Sequence, residues 1–283
     1  MTERDDPQSR VTAFFETHSG AWDDLYATVG LRPEIFRTRQ ARVLTWIDGL
    51  RLALGARVLD VGSGAGHLTV ALAERGFRVV AIDPSESMRA RTRLRIEQSE
   101  RPGGVDVLDA DVQALPFPDE HFDLVVALGV LPWVPSPRIA TEEMSRVLKP
   151  GGHVVVTADN AWRLMYVFDP RLLPALAWLR RGLRRLLPDR RRQWLRNGVE
   201  PHAVPTSHSI RFVNRLLAPT LITVRAATIG FGPFTFFGRP ALADDRGIAL
   251  HRRLQLLADR RSPLLRFAGT HYVVLARKRD AVD

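Results

Sequence analysis

Residues 58–66, which read VLDVGSGAG, decide how the rest of this chain is interpreted. The apolar first half predicts a short buried strand, with Asp60 near its carboxyl end. Gly62, Gly64 and Gly66 follow at single-residue gaps, and the helical pattern HLTVALAERG begins at once. Glycine permits the φ values of a tight turn and lets a ligand lie against the backbone, and the start of a helix offers free N–H groups. The segment therefore predicts a ligand-binding turn.

The spacing of these glycines excludes the dinucleotide fingerprint G-x-G-x-x-G, because its third glycine would fall at His67. The pattern is instead an acidic residue followed by G-x-G-x-G, and it runs from Asp60 through Ser63 to Gly66. In this it resembles the first motif of the class I S-adenosylmethionine (SAM) dependent methyltransferases. The resemblance implies SAM as the cofactor and Asp60, Gly62, Ser63, Gly64 and Gly66 as residues that bind it.

The chain alternates strand and helix patterns from residue 57 onward, which is typical of a parallel sheet with helices on both faces. Strands are predicted at 57–61, 78–82, 105–108, 122–128, 153–157, 221–229 and 271–276. Helices are predicted at 11–29, in two pieces broken near Ser19 and Gly20, and at 37–54, 66–75, 139–148, 206–217 and 247–258. The fold class is therefore α/β. Together with the resemblance, the pattern predicts a Rossmann-like, seven-stranded, mostly parallel sheet whose last strand is antiparallel, plus a helical cap and insertion.

Breaks in this alternation predict four parts. They are an N-terminal helical cap (1–54), a SAM-binding α/β core (55–158), a helical insertion or lid (159–205), and the C-terminal part of the core with a Phe-rich loop (206–283).

The strand ends carry the polar groups expected at such a site, since ligands of open parallel sheets bind beyond the carboxyl ends of the strands. Asp83 ends the second strand, where a carboxylate can accept both hydroxyls of a ribose. The resemblance implies further cofactor contacts on the adenine and methionine sides: Asp111, Val112, Ala127 and Leu128. Pro84 and Met88, which follow Asp83, are also assigned to the cofactor site, although Met88 either packs on the adenine face or is simply a core residue.

Aromatic residues are the candidates for contacts with the cap or the methyl acceptor: Trp22, Tyr26, Trp133, Phe234 and Phe236. Trp22 and Tyr26 either close over the cofactor or simply pack the cap onto the core. A general base is needed only if the acceptor keeps its proton at neutral pH. The candidates for it are His18, His202 and His208, and each of them could equally be structural.

The charge of +10 is concentrated, because nine arginines and one acid, Asp189, lie between Arg171 and Arg196. Within this segment, residues 171–187 predict a helix with leucines on one face and arginines on the rest. The segment therefore fits a peripheral membrane contact, a solvated lid face or an RNA-binding surface. The absence of cysteine excludes disulfides, thiolate metal sites and iron–sulfur chemistry, and no metal-ligand spacing is present.

The leading functional prediction is a SAM-dependent methyltransferase of a small, apolar acceptor that is quinone-like, lipid-linked or a natural product. The alternatives are an RNA methyltransferase and a non-catalytic SAM-binding protein. RNA is disfavoured because no separate RNA-binding module is visible. The polar N-terminus and the lack of a membrane-spanning run predict a cytoplasmic protein, either free or held at a membrane surface.

Overall fold

The computed structural model describes residues 6–100, 103–165, 169, 205–237, 239–260 and 262–279. Most of the predicted insertion, including the arginines between Arg171 and Arg196, lies outside the described residues. So does His202. In the described part of the chain, no helix combines the length and the apolar character that crossing a membrane requires.

The main sheet has the predicted seven-stranded path. Its order is β3–β2–β1–β4–β5–β10–β7, and a short strand, β6, pairs with β5. The strands are β1 (Arg57–Val61), β2 (Arg78–Ile82), β3 (Val105–Leu108), β4 (Phe122–Ala127), β5 (Leu148–Asn160), β6 (Ser207–His208), β7 (Leu221–Ile229) and β10 (His271–Lys278). Strands β1 to β6 pair in parallel, whereas β10 is antiparallel to both β5 and β7. The predicted topology is therefore confirmed. A two-stranded hairpin of β8 (Thr235–Phe236) and β9 (Arg239–Pro240) lies within the Phe-rich loop.

Strand β1 shows why these residues form a buried sheet. Successive side chains of a strand point to opposite faces, so Val58 packs on one face against Val43 and Leu72, while Leu59 and Val61 join the core on the other face. Both faces of the central strands are thus covered by apolar side chains. This leaves the strand ends as the place for polar groups.

Seven α-helices are present in the described residues. They are α1 (Pro7–Ala27), α2 (Leu31–Asp48), α3 (His67–Ala73), α4 (Glu86–Glu97), α5 (Pro137–Arg146), α6 (Ile210–Leu217) and α7 (Asp244–Asp259).

Helix α1 corrects one prediction, because it passes through Ser19 and Gly20 without a break. Glycine inside a helix costs about 1 kcal/mol relative to alanine, but here the small residues face a neighbouring helix. Ser19 is buried, and a Cβ built on Gly20 would lie 3.3 Å from Nη2 of Arg91 in α4. Close packing of α1 on α4 therefore explains why the helix continues.

Three further boundaries were predicted wrongly. Helix α2 occupies 31–48 rather than 37–54, with Gly49 at its C-terminal cap and Leu54 exposed. Strand β5 extends in both directions beyond the predicted 153–157. The helix predicted from residue 206 begins at Ile210, since residues 207–208 pair with the end of β5 and Ser209 caps the helix.

Candidate active site

A cavity of about 630 Å³ lies at the carboxyl ends of β1 to β5, beneath helix α1. The residues predicted to bind cofactor that line it are Asp60, Gly62, Ser63, Gly64, Asp83, Pro84, Met88, Asp111, Val112 and Leu128. The predicted cap or acceptor residues Trp22, Tyr26 and Trp133 line the same cavity. The fold thus brings together residues that are separated by more than one hundred positions in the sequence.

The three glycines of the turn have different surroundings, although all have positive φ, at +65°, +56° and +80° in chain order. A Cβ on Gly62 would lie 2.6 Å from Cγ2 of Val130, and one on Gly66 would lie 2.9 Å from Cα of Thr92 in α4. A Cβ on Gly64 would meet no atom within 4 Å. Gly64 therefore faces open space in the cavity, whereas Gly66, which does not line the cavity, permits the close packing of α3 on α4.

Asp60 and Asp83 are both buried, but their carboxylates are used differently. Oδ2 of Asp60 accepts a hydrogen bond from the hydroxyl of Thr69 at 2.6 Å, which ties β1 to α3. Oδ1 of Asp83 accepts from the Ser85 amide at 2.9 Å, and Oδ2 accepts from the Gly64 amide at 3.0 Å. Each oxygen of Asp83 keeps a further lone pair for a ligand.

Burial disfavours both of these negative charges. It raises the pKa of Asp60 to about 7, and the nearby Asp83 charge adds to this effect. Burial likewise raises the pKa of Asp83 to about 6, although the amides of Ser85 and Gly64 and the positive charge of Arg89 oppose the shift. A bound group that donates hydrogen bonds to Asp83 would therefore compensate a carboxylate that is poorly solvated.

The turns that follow β2 and β3 form another part of the cavity wall. The side chain of Asp111 bonds to the backbone of its own turn, because its Oδ1 accepts a hydrogen bond from the Gln113 amide at 2.9 Å. Val112 and Met88 are buried at the cavity wall. Ala127, by contrast, is fully buried inside β4 and does not line the cavity, whereas the next residue, Leu128, does.

An aromatic wall centred on Trp133 forms the opposite side of the cavity. The Trp133 ring stacks on Phe14 with centroids 5.5 Å apart, and it meets Phe15 and Trp22 edge-on at 5.0 and 6.0 Å. Trp22 also lies 6.1 Å from Phe36 of α2. These rings come from α1, α2 and the segment after β4. They give the cavity an apolar surface on which a flat molecule can stack.

Helix α1 is held over the glycine turn by two acidic residues. Asp23 accepts from Nε2 of His67 at 2.8 Å and pairs with Arg91 and Arg95 of α4 at 3.1 and 2.5 Å. Glu16 accepts from the amide and the hydroxyl of Ser87 at the start of α4. Since Tyr26 stacks on His67 at 4.4 Å, the aromatic residues of α1 are fixed relative to the turn.

Of the predicted histidines and phenylalanines that the structure describes, one lines the cavity. His18 lines the cavity, with Nδ1 2.9 Å from the Phe14 carbonyl. His208 does not line it and stacks on Phe212 instead. Phe234 packs in a separate apolar cluster, and Phe236 is 56% exposed, so the structure does not place these two at the cavity.

Several polar residues of the cavity were missed by the sequence reasoning. Arg39 is only 4% exposed; its Nη2 donates to the Tyr26 hydroxyl at 3.3 Å, and its buried Nε has no partner among the described residues. Asp159 and His271 stand opposite each other in β5 and β10. Arg39 lies in the middle of an amphipathic helix, and Asp159 lies beyond the predicted end of its strand. No local signal distinguished either residue from surface charge.

Residues 59–156 match the family model described as a methyltransferase domain. This part of the chain is therefore a methyltransferase domain. SAM is the cofactor of this domain.

Two of the curated relatives illustrate the similarity, and both are named as methyltransferases. The chain is 36% identical over 149 residues to demethylmenaquinone methyltransferase of Clavibacter sepedonicus. This alignment covers 52% of this chain and 57% of the relative. It is 40% identical over 104 residues to phosphatidylethanolamine N-methyltransferase of Cereibacter sphaeroides. This alignment covers 37% of this chain and 51% of the relative. The chain thus spans about half the length of the curated relatives it matches.

A solved structure extends the likeness to the whole fold. The magnesium protoporphyrin IX methyltransferase of Synechocystis superposes with a TM-score of 0.62 at 15% identity, covering 95% of this chain and 98% of that one. Identity this low shows a shared fold and no more, because one fold supports many activities.

Proposed function

We propose that this protein transfers a methyl group from SAM to a small, mainly apolar acceptor that is quinone-like, lipid-linked or a natural product. One observation carries the proposal: a single cavity joins the glycine turn and the strand-end carboxylates to an aromatic wall. The names of the relatives, a menaquinone-pathway enzyme and a phospholipid methyltransferase, support an acceptor of apolar character.

The residues present fit SAM. Gly64 leaves open space where any side chain would intrude, Asp83 keeps one lone pair on each oxygen, and Arg39 has a buried, unpartnered Nε. In the proposal, Asp83 accepts the two ribose hydroxyls, and Arg39 pairs with the methionine carboxylate.

The adenine and the methionine amino group complete this assignment. Asp111 and Val112 meet the adenine edge, Met88 covers one of its faces, and the Leu128 carbonyl accepts from the methionine amino group. Asp60 supports the site through the hydrogen bond that its carboxylate accepts from Thr69, which ties β1 to α3.

The chain supplies position and a dry environment rather than activation. SAM brings a methyl group that is already activated on a sulfonium. The enzyme has to align the acceptor with it and exclude water. Trp133, Phe14 and Trp22 hold the acceptor, and α1 covers it.

The four-part division of the chain belongs to the same proposal. The contacts of Asp23 and Glu16 support a cap role for residues 1–54. Residues 159–205 would complete the lid over the SAM-binding core, 55–158, and its C-terminal part, 206–283. The predicted contact of the arginines between Arg171 and Arg196 with an anionic membrane surface is part of the proposal and rests on the sequence alone.

Methyl transfer is tested with SAM carrying an isotopic label in the methyl group, incubated with the full chain and an extract rich in quinones and lipids. Label should enter an organic-soluble product. The proposal fails if calorimetry shows no binding of SAM or of its demethylated product, S-adenosylhomocysteine. It fails also if all the label remains in SAM while SAM is bound.

A further inference from the structure

Among the residues that the structure describes, four carboxylates line the cavity, and three of them already accept hydrogen bonds. Asp60 accepts from Thr69, while Asp83 and Asp111 accept backbone amides. The fourth is Asp159, at the carboxyl end of β5.

The carboxylate of Asp159 accepts no hydrogen bond from the residues that the structure describes. Its side chain is 22% exposed, and its nearest charged or titratable neighbours are too distant for a hydrogen bond. Nη2 of Arg163 lies at 3.7 Å and Nε2 of His271 at 3.8 Å. A mostly buried carboxylate that opens on a ligand cavity without a donor is suited to take a proton or a hydrogen bond from the ligand.

The groups that face Asp159 come from four elements of the chain. They are Arg32 and Arg39 of α2, Arg163 after β5, His208 of β6 and His271 of β10. Burial raises the pKa of Asp159, while these charged neighbours oppose the rise. Burial also lowers the pKa of His271, so this imidazole stays neutral.

Two consequences follow from this set of charges. A raised pKa makes Asp159 a stronger proton acceptor than an exposed carboxylate. Even when Arg39 pairs with the methionine carboxylate, Arg32 and Arg163 exceed the single acid, so an oxygen that loses its proton here would lie in a positive potential.

We propose that Asp159 is the catalytic residue that takes the proton from a hydroxyl-bearing aromatic acceptor. The acceptor is then a phenol or a hydroquinone, whose ring stacks on the wall around Trp133. This assignment rests on the proposed function, since it assigns a role within the same site.

The proton transfer balances without a further reactant. The O–H bond of the acceptor breaks, its electron pair stays on the acceptor oxygen, and the proton bonds to a carboxylate oxygen of Asp159. With SAM bound, the oxygen would then bond to the methyl carbon, and the electron pair of the C–S bond that breaks would stay on the sulfur.

The test uses binding as its readout, so that no native acceptor is needed. The full chain is saturated with S-adenosylhomocysteine and titrated with 4-nitrophenol at a pH where the free probe is neutral. Nitrobenzene, which lacks the hydroxyl, is the matched ligand. The variant is Asp159→Asn, the matched control is Asp106→Asn at an exposed position of β3, and His18→Ala represents the competing base.

Asp159→Asn should weaken binding of 4-nitrophenol by about tenfold and leave nitrobenzene within about twofold, as expected for the loss of one charge-assisted hydrogen bond. The bound probe should also ionise at a lower pH in this variant, because the negative charge of Asp159 no longer offsets the positive potential of Arg32 and Arg163. Its absorbance reports this ionisation, and a merely structural role would not shift it.

Equal losses for both ligands, or no loss for either, would overturn the assignment. So would a wild-type protein that binds 4-nitrophenol no better than nitrobenzene, or a selective loss in His18→Ala alone. Calorimetry with S-adenosylhomocysteine separates the two proposals. If the wild type does not bind S-adenosylhomocysteine, the proposed function fails. If the wild type binds it and Asp159→Asn binds 4-nitrophenol as well as the wild type does, only the Asp159 assignment is removed.

Discussion

Replacing Asp83 by alanine should weaken SAM binding by about 10- to 100-fold. The structure sets this magnitude, because each oxygen of Asp83 already accepts one backbone amide and retains one lone pair for a ribose hydroxyl. Hydrogen bonds to charged groups contribute about 1.5–3 kcal/mol, and each 1.4 kcal/mol corresponds to about tenfold in affinity. The loss of affinity should be nearer tenfold if water takes over part of the lost hydrogen bonding to the ribose.

The assay is calorimetric titration with SAM and S-adenosylhomocysteine, with Asp109→Ala as the matched control. Asp109 follows β3, is exposed and pairs with Arg89 at 3.1 Å, but it does not line the cavity. The control should bind like the wild type. Thermal unfolding of both variants shows whether the loss of the Gly64 and Ser85 hydrogen bonds has unfolded the turn.

The pH dependence sharpens the same prediction. Asp83 has a pKa of about 6 in the folded protein, above its ordinary value of 3.8. Ribose hydroxyls donate best to the ionised carboxylate, so SAM binding should favour the ionised form and weaken as the pH falls through about 6. The affinity ratio of wild type to Asp83→Ala should therefore shrink between pH 7.5 and pH 5. An affinity of Asp83→Ala within about twofold of the wild type at pH 7.5, or an equal loss in Asp109→Ala, would refute the ribose assignment.

Three further predictions concern the surroundings of the site. Gly66→Ala should lower the melting temperature by several degrees in a thermal scan, because its Cβ would lie 2.9 Å from Cα of Thr92; an unchanged melting temperature would contradict the packing argument. Asp23→Asn should loosen α1 and speed the release of S-adenosylhomocysteine in stopped flow, and an unchanged release rate would show that α1 does not retain the ligand. Asp60→Asn keeps an oxygen that can accept the hydrogen bond from Thr69. Because the pKa of Asp60 in the folded protein is about 7, the wild type should lose stability as the pH rises from about 4 to 7, and the variant should lose less. Equal pH profiles of melting temperature for the two proteins would count against an effect of the buried charge.

The local sequence alone determined the glycine turn and the strands that lead to it. The predicted bounds of β1, β2, β3 and β7 agree with the structure. The apolar runs are short and bounded by glycine, aspartate or proline, so a local pattern is enough to define them. Asp83 and Asp111 could be assigned for the same reason, because a residue that ends a parallel strand must lie at the ligand-binding edge.

Some helix and strand boundaries depended on contacts that the local sequence pattern does not contain. Helix α1 continues through Gly20 because Arg91, seventy-one positions later in the chain, packs against it. Strand β5 extends to Asn160 because β10 and β6 offer it hydrogen-bond partners. Tertiary packing outweighed propensity in both cases.

Tertiary structure decided most of the acceptor side of the cavity, because only Trp22 and Trp133 of its aromatic wall were predicted from the sequence. Phe234 and Phe236 have the composition expected of a pocket wall, yet the fold places them elsewhere and recruits Phe14 and Phe15. Asp159 owes its burial and its lack of hydrogen bonds to elements from four separate parts of the chain. Except for Arg39, the cofactor side is built from turns that each follow the end of a predicted strand, whereas the acceptor side is assembled from distant segments, and only their packing brings its residues together.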